Sequence, residues 1–425
     1  MLTRDAHGAV LGGIALVDLL RDGSISTPAY VYDLDAMEAE ARALEEGFGD
    51  RPHLVAYAVK ANSAGAVVRA LCRGGAGAEV VSGAELAVTL ACGIPPERTL
   101  YSGVGKLARE IDAAIGAGNR GIHAIQMESV EEIARVAARS AALGRRARVS
   151  IRVNPGIEAD THAHVATGHD EAKFGVARAD LPAAWEALAR APHLDLVGLS
   201  SHVGSQLTQI DEYVAAAEVL LALAVSRHEV GARFEFIDFG GGFGIDYGAG
   251  CAAKPADFAR AGVKLLGASP LAELQLVVEP GRSLVAAHGV LCASVISSKR
   301  SLEGDRRWLI IDAGMNDLIR PALYAARHRI ESLDRASAAI ATATATGYRV
   351  VGPVCESSDD FGEHPFDAVP ERVVIRDAGA YGFTMASEYN GRALPTEVFL
   401  RGGRVDSISA SPGVEAWVTG RLGAK

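Results

Sequence analysis

Between residues 27 and 285 the sequence alternates, eight times over, between short β-forming runs and longer stretches rich in Ala, Leu, Glu and Arg. The strand-like runs are His53 to Lys60, Ala78 to Val81, Thr99 to Gly103, His123 to Met127, Arg148 to Val153, Val197 to Val203, Phe234 to Phe239 and Leu274 to Glu279. Amphipathic segments such as Glu128 to Leu143 and Asp211 to His228 separate them and are long enough for right-handed crossovers between parallel strands. Eight such units predict an α/β fold, a (β/α)8 barrel of the TIM type. An open doubly wound sheet is the competing arrangement. The glycine run does not support it, because with Gly240 and Gly242 as the first two glycines of a dinucleotide fingerprint, Ile245 takes the third place.

After residue 285 the pattern changes to strand-like runs separated by turns: Val290 to Ser297, Arg307 to Asp312, Arg349 to Gly352, Arg372 to Asp377 and Glu397 to Leu400, then a Gly402-Gly403 turn. This predicts a mostly β C-terminal domain. The first 26 residues end at Ser26-Thr27-Pro28, a break before Tyr30-Val31-Tyr32-Asp33, and are expected to join that domain. The expected division is a barrel over 27–285 and a β-rich domain from 1–26 with 286–425. A chain of 425 residues accommodates both, since a barrel takes about 250 residues as one unit. The Ala/Thr-rich stretch 336–347 reads as a loop or small helix.

Apolar residues make up 49% of the chain and charged residues 22%, which fits large buried cores and excludes general disorder. With a net charge of −10, the chain lacks the cationic surface that nucleic acid or an anionic membrane needs. A small-molecule partner is expected, and arginines inside motifs then carry the information. The cysteines Cys72, Cys92, Cys251, Cys292 and Cys355 are odd in number and scattered, which indicates neither a disulfide framework nor a zinc site. Residues 7–17 are mostly apolar, but Asp5, Asp18 and the lack of a basic leader separate them from a signal peptide, and they are read as the first strand. No uncharged run reaches the roughly 20 residues of a spanning helix, so a cytoplasmic enzyme is expected.

Tyr57-Ala58-Val59-Lys60-Ala61-Asn62 sets one lysine at the end of an apolar run. A low-dielectric strand end keeps an amine nucleophilic, as a Schiff-base lysine requires. Asp238-Phe239-Gly240-Gly241-Gly242-Phe243-Gly244 follows a strand and allows backbone N–H groups close to an anion. Taken singly, such a lysine is ordinarily a surface residue and such a triplet a turn. The barrel joins them, because its active groups sit at the C-terminal ends of strands. Lys60, Glu79, Arg152, His202, Gly240 to Gly242 and Glu279-Pro280-Gly281-Arg282 all fall at or near strand ends. His162, His164 and His169 raise the question of a metal site, yet alternating histidines in a loop of small residues are ordinarily solvated, and no metal is expected.

With these motifs in view, the chain resembles the fold-type III pyridoxal-phosphate decarboxylases, and among them those acting on meso-2,6-diaminopimelate. The resemblance runs over nearly the whole chain. It rests on Thr27-Pro28 with Tyr30 to Asp33, Val59 to Asn62, Val81-Ser82-Gly83-Ala84-Glu85-Leu86, Arg152-Val153-Asn154-Pro155, Lys173-Phe174-Gly175 and His202-Val203-Gly204-Ser205-Gln206. It continues through the glycine run, Glu279 to Arg282, Arg320-Pro321-Ala322-Leu323-Tyr324, Gly352-Pro353-Val354-Cys355-Glu356-Ser357 and Gly379-Ala380-Tyr381-Gly382.

The resemblance implies pyridoxal 5'-phosphate as cofactor, with Lys60 holding it covalently, Glu79 near its ring, Glu279 at the pyridine nitrogen and His202 stacked on the ring. Gly241, Gly242, Gly281, Arg282, Ser205 and Tyr381 would hold the phosphate. Arg282, Arg320, Tyr324 and Tyr381 would bind the far carboxylate of the substrate and Glu356 its distal ammonium. Cys355 would protonate the decarboxylated carbon from across a homodimer interface, so that two chains share each site. The implied reaction is decarboxylation of meso-2,6-diaminopimelate to L-lysine. Alternatives are a related decarboxylase acting on ornithine, arginine, carboxynorspermidine or a carrier-linked glutamyl group, and a non-catalytic homologue. The sequence departs from the family pattern at Glu79, where aspartate is common, at Ser358, where glycine is common before Asp359, and at Arg392-Ala393-Leu394-Pro395. Ser358 lies close in sequence to Glu356, so that departure bears on substrate identity.

Overall fold

The structure, a computed structural model, describes residues 1–6, 8–157, 173–251, 253–302, 304–334 and 346–423. His162, His164 and His169, and most of the 336–347 stretch, lie outside the described residues. The chain divides into two compact units, Glu38–Asp246 with Gly250–Ser283, and Met1–Met37 with Tyr247–Ala249 and Leu284–Lys425.

The chain opens with a small antiparallel sheet of β1 (Thr3–Asp5), β2 (Gly8–Leu11) and β3 (Ile14–Ala15), followed by β4 (Ala29–Asp33). Where one strand was expected, residues 8–15 thus form a tight hairpin. Gly12 and Gly13, at φ 56° and 79°, supply the two left-handed residues that a two-residue hairpin turn demands.

The barrel unit contains β5 (His53–Ala58), β6 (Gly77–Val80), β7 (Thr99–Tyr101), β8 (Ala124–Met127), β9 (Ala147–Arg152), β10 (Leu194–Ser200), β11 (Phe236–Gly241) and β12 (Gln275–Glu279). They form a closed parallel barrel in chain order, sealed where β12 pairs with β5. All eight predicted strands are present. The first ends earlier than expected, because Val59–Ala61 turns into a short 3-10 helix. The interior is layered. Leu54, Ala56, Leu100, Ala124, Val197, Phe236 and Val277 make an apolar layer. Side chains alternate along a strand, so residues two further on face the same interior. On β8, β11 and β12 those residues are Gln126, Asp238 and Glu279, which makes the next layer toward the C-terminal ends polar.

In the second unit β13 (Gly289–Arg300), β14 (Arg307–Ile311), β15 (Ile330–Ser332), β16 (Thr346–Val351), β17 (Asp360–Phe366), β18 (Arg372–Ile375), β19 (Thr396–Arg401) and β20 (Arg404–Ser409) build the sheet β17-β16-β14-β13-β4-β19-β20, with β18 also on β13 and β15 on β18. β4 lies inside this sheet, antiparallel to β13 and parallel to β19. The division therefore falls later than the expected residue 27. Ala29–Asp33 is buried along its whole length, as a central strand covered on both faces must be. Ala29 and Val31 pack with Leu11, Leu16 and Leu20 of the N-terminal segment on one face, while Tyr30 and Tyr32 stack at 5.9 Å on the other. Among the described residues no helix is long and apolar enough to cross a membrane.

Candidate active site

Lys60 stands on the turn that follows β5, with Nζ 2.5 Å from Glu79 Oε2 at the end of β6. The carboxylate is buried at 1% exposure, whereas the lysine side chain is 37% exposed, so the amine lies at the barrel mouth with its charge met from below. The Val81-to-Leu86 motif next to it is a helix start. Ser82 Oγ accepts the Glu85 N–H at 3.2 Å and Glu85 Oε2 accepts the Val81 N–H at 2.8 Å, which opens the helix Gly83–Ala91.

Further in, Gln126 Nε2 donates to Asp238 Oδ2 at 2.8 Å and to Glu279 Oε1 at 2.9 Å. Burial, with Asp238 and then Glu79 alongside, pushes the Glu279 carboxyl well above its usual range, against the pull of Lys60 and Arg152. Burial also raises Asp238, to about 6. His202, just past β10, has Nδ1 3.9 Å from Glu279 Oε2. Burial and the nearby Arg152 and Lys60 hold its pKa well below the ordinary value, so the ring is a neutral imidazole. Its Nδ1 accepts the Gly241 N–H at 3.2 Å, which puts the ring proton on Nε2.

Arg152, the last residue of β9, pairs with Glu128 at 3.1 Å. Burial would raise Glu128, but Arg152 and Lys106 outweigh it and keep the carboxylate ionised. The Lys173-Phe174-Gly175 motif docks on this pair, with the Gly175 N–H donating to Glu128 Oε2 at 2.8 Å and the Arg152 guanidinium 5.0 Å from the Phe174 ring centre.

At the ends of the adjacent strands β10, β11 and β12, Arg282 Nη2 donates to Ser205 Oγ at 2.8 Å. The glycine run passes between them at backbone contact. A Cβ at Gly240 would lie 2.2 Å from Ser201 O, at Gly241 1.9 Å from Glu279 O and at Gly242 2.2 Å from Gly204 O. No side chain fits there.

The remaining predicted residues belong to the β unit. Arg320 opens the helix Arg320–Tyr324 that also carries Tyr324. It is buried, its Nη1 lies 2.8 Å from His328 Nε2, and its guanidinium stacks 4.7 Å from the Tyr247 ring centre. Because a guanidinium only donates, His328 accepts there and donates from Nδ1 to Arg376 O at 2.9 Å. Tyr381 adopts a left-handed backbone, φ 55°. Cys355 and Glu356 are exposed. Their loop is held by the Asn390 carboxamide, which accepts the Cys355 N–H at 2.8 Å, and by Tyr389, whose hydroxyl donates to Glu356 Oε1 at 2.5 Å. That bond raises the Tyr389 pKa. Asp359 fastens the loop from inside, accepting the N–H groups of Val354 at 2.7 Å and Met315 at 2.6 Å. Ser358 Oγ touches Met315 Sδ at 3.5 Å.

Residues 34–286 match the family model described as "Pyridoxal-dependent decarboxylase, pyridoxal binding domain". The chain belongs to the pyridoxal-dependent decarboxylase family. It is 39% identical over 397 residues to the diaminopimelate decarboxylase of Zymomonas mobilis subsp. mobilis, covering 92% of this chain and 91% of that protein. Among solved structures it is similar to diaminopimelate decarboxylase from Helicobacter pylori complexed with L-lysine, with TM-score 0.84 and 34% identity, covering 94% of this chain and 98% of that one. It is also similar to the M. jannaschii enzyme in co-complex with L-lysine, with TM-score 0.89 and 30% identity, covering 99% and 97%.

The cofactor of this decarboxylase is pyridoxal 5'-phosphate, and the barrel mouth fits it in its donor set: an amine at the rim, a neutral imidazole, a buried acid, and an arginine and serine beside a glycine-walled cradle. Sequence reasoning missed Gln126, Asp238, Ser102, His328, Asn390 and Tyr389. A signal for the first two was present: each is a polar residue inside an otherwise apolar parallel strand, a place where polarity has to be accounted for.

Proposed function

We propose that this decarboxylase removes CO2 from the D-configured centre of meso-2,6-diaminopimelate and yields L-lysine, the last step of lysine biosynthesis, in the cytoplasm. The observation that carries the reading is the charge set on the β unit. A buried, orientated Arg320 and an exposed Glu356 offer both signs, as a substrate that is an amino acid at both ends requires. The names of the relatives, and L-lysine in two of the solved structures, support the same substrate.

The bound cofactor supplies an electron sink for the pair of electrons left when CO2 departs. Lys60 would hold it, with Glu79 and His202 lining the ring's place and Glu279 serving the pyridine nitrogen. Ser205, Gly241, Gly242, Gly281, Arg282 and the Tyr381 hydroxyl would hold the phosphate, where charge-assisted hydrogen bonds are the strong ones. Arg282, Arg320, Tyr324 and Tyr381 bind the far carboxylate and Glu356 the distal ammonium. Cys355 delivers the proton to the decarboxylated carbon, and its exposed position suits delivery into the site of a partner chain, so the working form is a homodimer.

The deciding experiment is turnover of meso-2,6-diaminopimelate by the purified, cofactor-loaded protein, read as lysine and CO2, with ornithine, arginine and L,L-diaminopimelate alongside. Lysine from the meso isomer alone supports the reading. Turnover of another amine removes the substrate assignment and keeps the chemistry, and no turnover of any removes both.

A further inference from the structure

Gln126 reaches across the barrel from β8 to two acids on β11 and β12 and gives both of them hydrogen bonds from one amide nitrogen. Its orientation is fixed, because Ser102 Oγ donates to Gln126 Oε1 at 2.8 Å and leaves only the amide nitrogen to face the acids. Asp238 Oδ1 accepts the Gly240 N–H at 2.8 Å, so both Asp238 oxygens are met by donors. Glu279 shares that one amide nitrogen with Asp238, so the two carboxyl groups sit side by side on a single donor. Gln126 is 1% exposed, Asp238 0% and Glu279 7%. Two carboxyl groups this close and this dry do not both ionise.

We propose that Gln126 and Asp238 are positioning residues for Glu279, clamping the two carboxyl groups so that the cofactor-free chain stores one proton on the Glu279 side for the pyridine nitrogen. This rests on the reading of Glu279 as the acid at that nitrogen. The proton balance is simple. On cofactor binding the proton leaves the Glu279 oxygen for the ring nitrogen, Glu279 becomes the carboxylate facing the resulting N–H, and Asp238 stays a carboxylate under Gln126 and the Gly240 N–H. No proton is drawn from solvent for this position.

The other charged groups facing the pair are Lys60 after β5, Glu79 on β6 and Arg152 at the end of β9, with the neutral His202 after β10. Glu79 works with Asp238 to keep the proton in place, and Lys60 and Arg152 work against it. Asp238 is the partner whose removal separates the two tendencies, since it alone shares the Gln126 amide with Glu279.

The test begins with infrared spectra of the full-length, cofactor-free protein at neutral pH. A protonated carboxyl band is expected in the wild type and lost in Glu279→Gln. In Asp238→Asn its titration midpoint should fall by about one pH unit or more. Carbon-13 labelling of glutamate in the wild-type chain assigns the band to glutamate should Glu279→Gln not fold. Calorimetry of cofactor binding in buffers of different ionisation enthalpy then counts protons, and Asp238→Asn should take up more than the wild type, by up to about one per site. A wild-type spectrum without the band, a band untouched by Glu279→Gln or by the label, or equal proton uptake in Asp238→Asn overturns the proposal. Failure of the cofactor to bind would instead remove the functional reading, while the infrared result still decides the pair.

Discussion

The carboxamide oxygen of Asn390 accepts the backbone N–H of Cys355 at 2.8 Å, from a residue held in the left-handed conformation at φ 57°. An exposed loop carrying the proposed proton donor is thus tied down at that residue's own backbone. Asn390→Gly keeps the backbone shape and removes only the acceptor. It should lower turnover by roughly tenfold through looser placement of the thiol while costing about 1 kcal/mol or less of stability. Asn390→Ala adds left-handed strain of about 1 kcal/mol. Steady-state rates and urea unfolding of the two variants check both statements.

Glu397 is buried on β19, where Tyr32 donates to its Oε1 at 3.0 Å. Burial raises its pKa from 4.5 to about 7. The native chain therefore holds a proton that the unfolded chain has lost, so this contribution is full below the unfolded pKa and disappears as pH rises through about 7. Glu397→Gln keeps an acceptor for Tyr32 and should raise stability at pH 8 by about 2–3 kcal/mol, with little effect near pH 4. Denaturant unfolding at several pH values reads the slope. Asp317, which burial also raises to about 7, leaves a residual slope of the same sign.

Lys106 has no exposed side-chain surface and bonds to Gly103 O and Gln126 O, each at 2.7 Å, and to Glu132 at 3.2 Å. Lys106→Met leaves a buried carboxylate without its cation and should cost about 3–5 kcal/mol. The double variant with Glu132→Gln should lose less than the single one. Equal losses would place the cost in packing rather than charge.

Lys60→Ala should abolish turnover and remove the near-visible absorbance of the cofactor-loaded protein. Unchanged spectra would end the assignment of Lys60.

Mixing inactive Lys60→Ala and Cys355→Ala proteins should restore part of the activity if Cys355 serves the partner's site. No recovery, with subunit exchange demonstrated, would mean that both residues act within one chain.

The barrel was legible because its strands are short, mostly apolar runs between helical stretches, with Glu279 ending the last of them and Lys60 following the first by two residues. The β unit was harder. β17 contains Gly362 and Pro365, which argue against a strand, yet it lies at the sheet edge where a missing N–H costs nothing. β20 is exposed along its whole length and offers no buried face to betray it. The helix Gly413–Leu422 was hidden in the same way, with two glycines and no buried residue. Lys60, Glu79, His202, Gly241, Gly242, Glu279 and Arg282 lie at or just past the ends of barrel strands. The partners that orientate them did not show, because Gln126 and Asp238 meet across the barrel from strands far apart in sequence.

The glycine run has a bearing on how other sequences of this fold are judged. The neighbouring backbone leaves no room for a methyl group at three successive positions, whether or not a phosphate ever binds. A descendant that lost all catalysis would still be obliged to keep Gly240, Gly241 and Gly242, or else shift the backbone that follows β10 and ends β12. The triplet is therefore a hallmark of how tightly three strand ends pack, and the fate of the lysine at position 60 is the better witness to whether such a chain remains an enzyme.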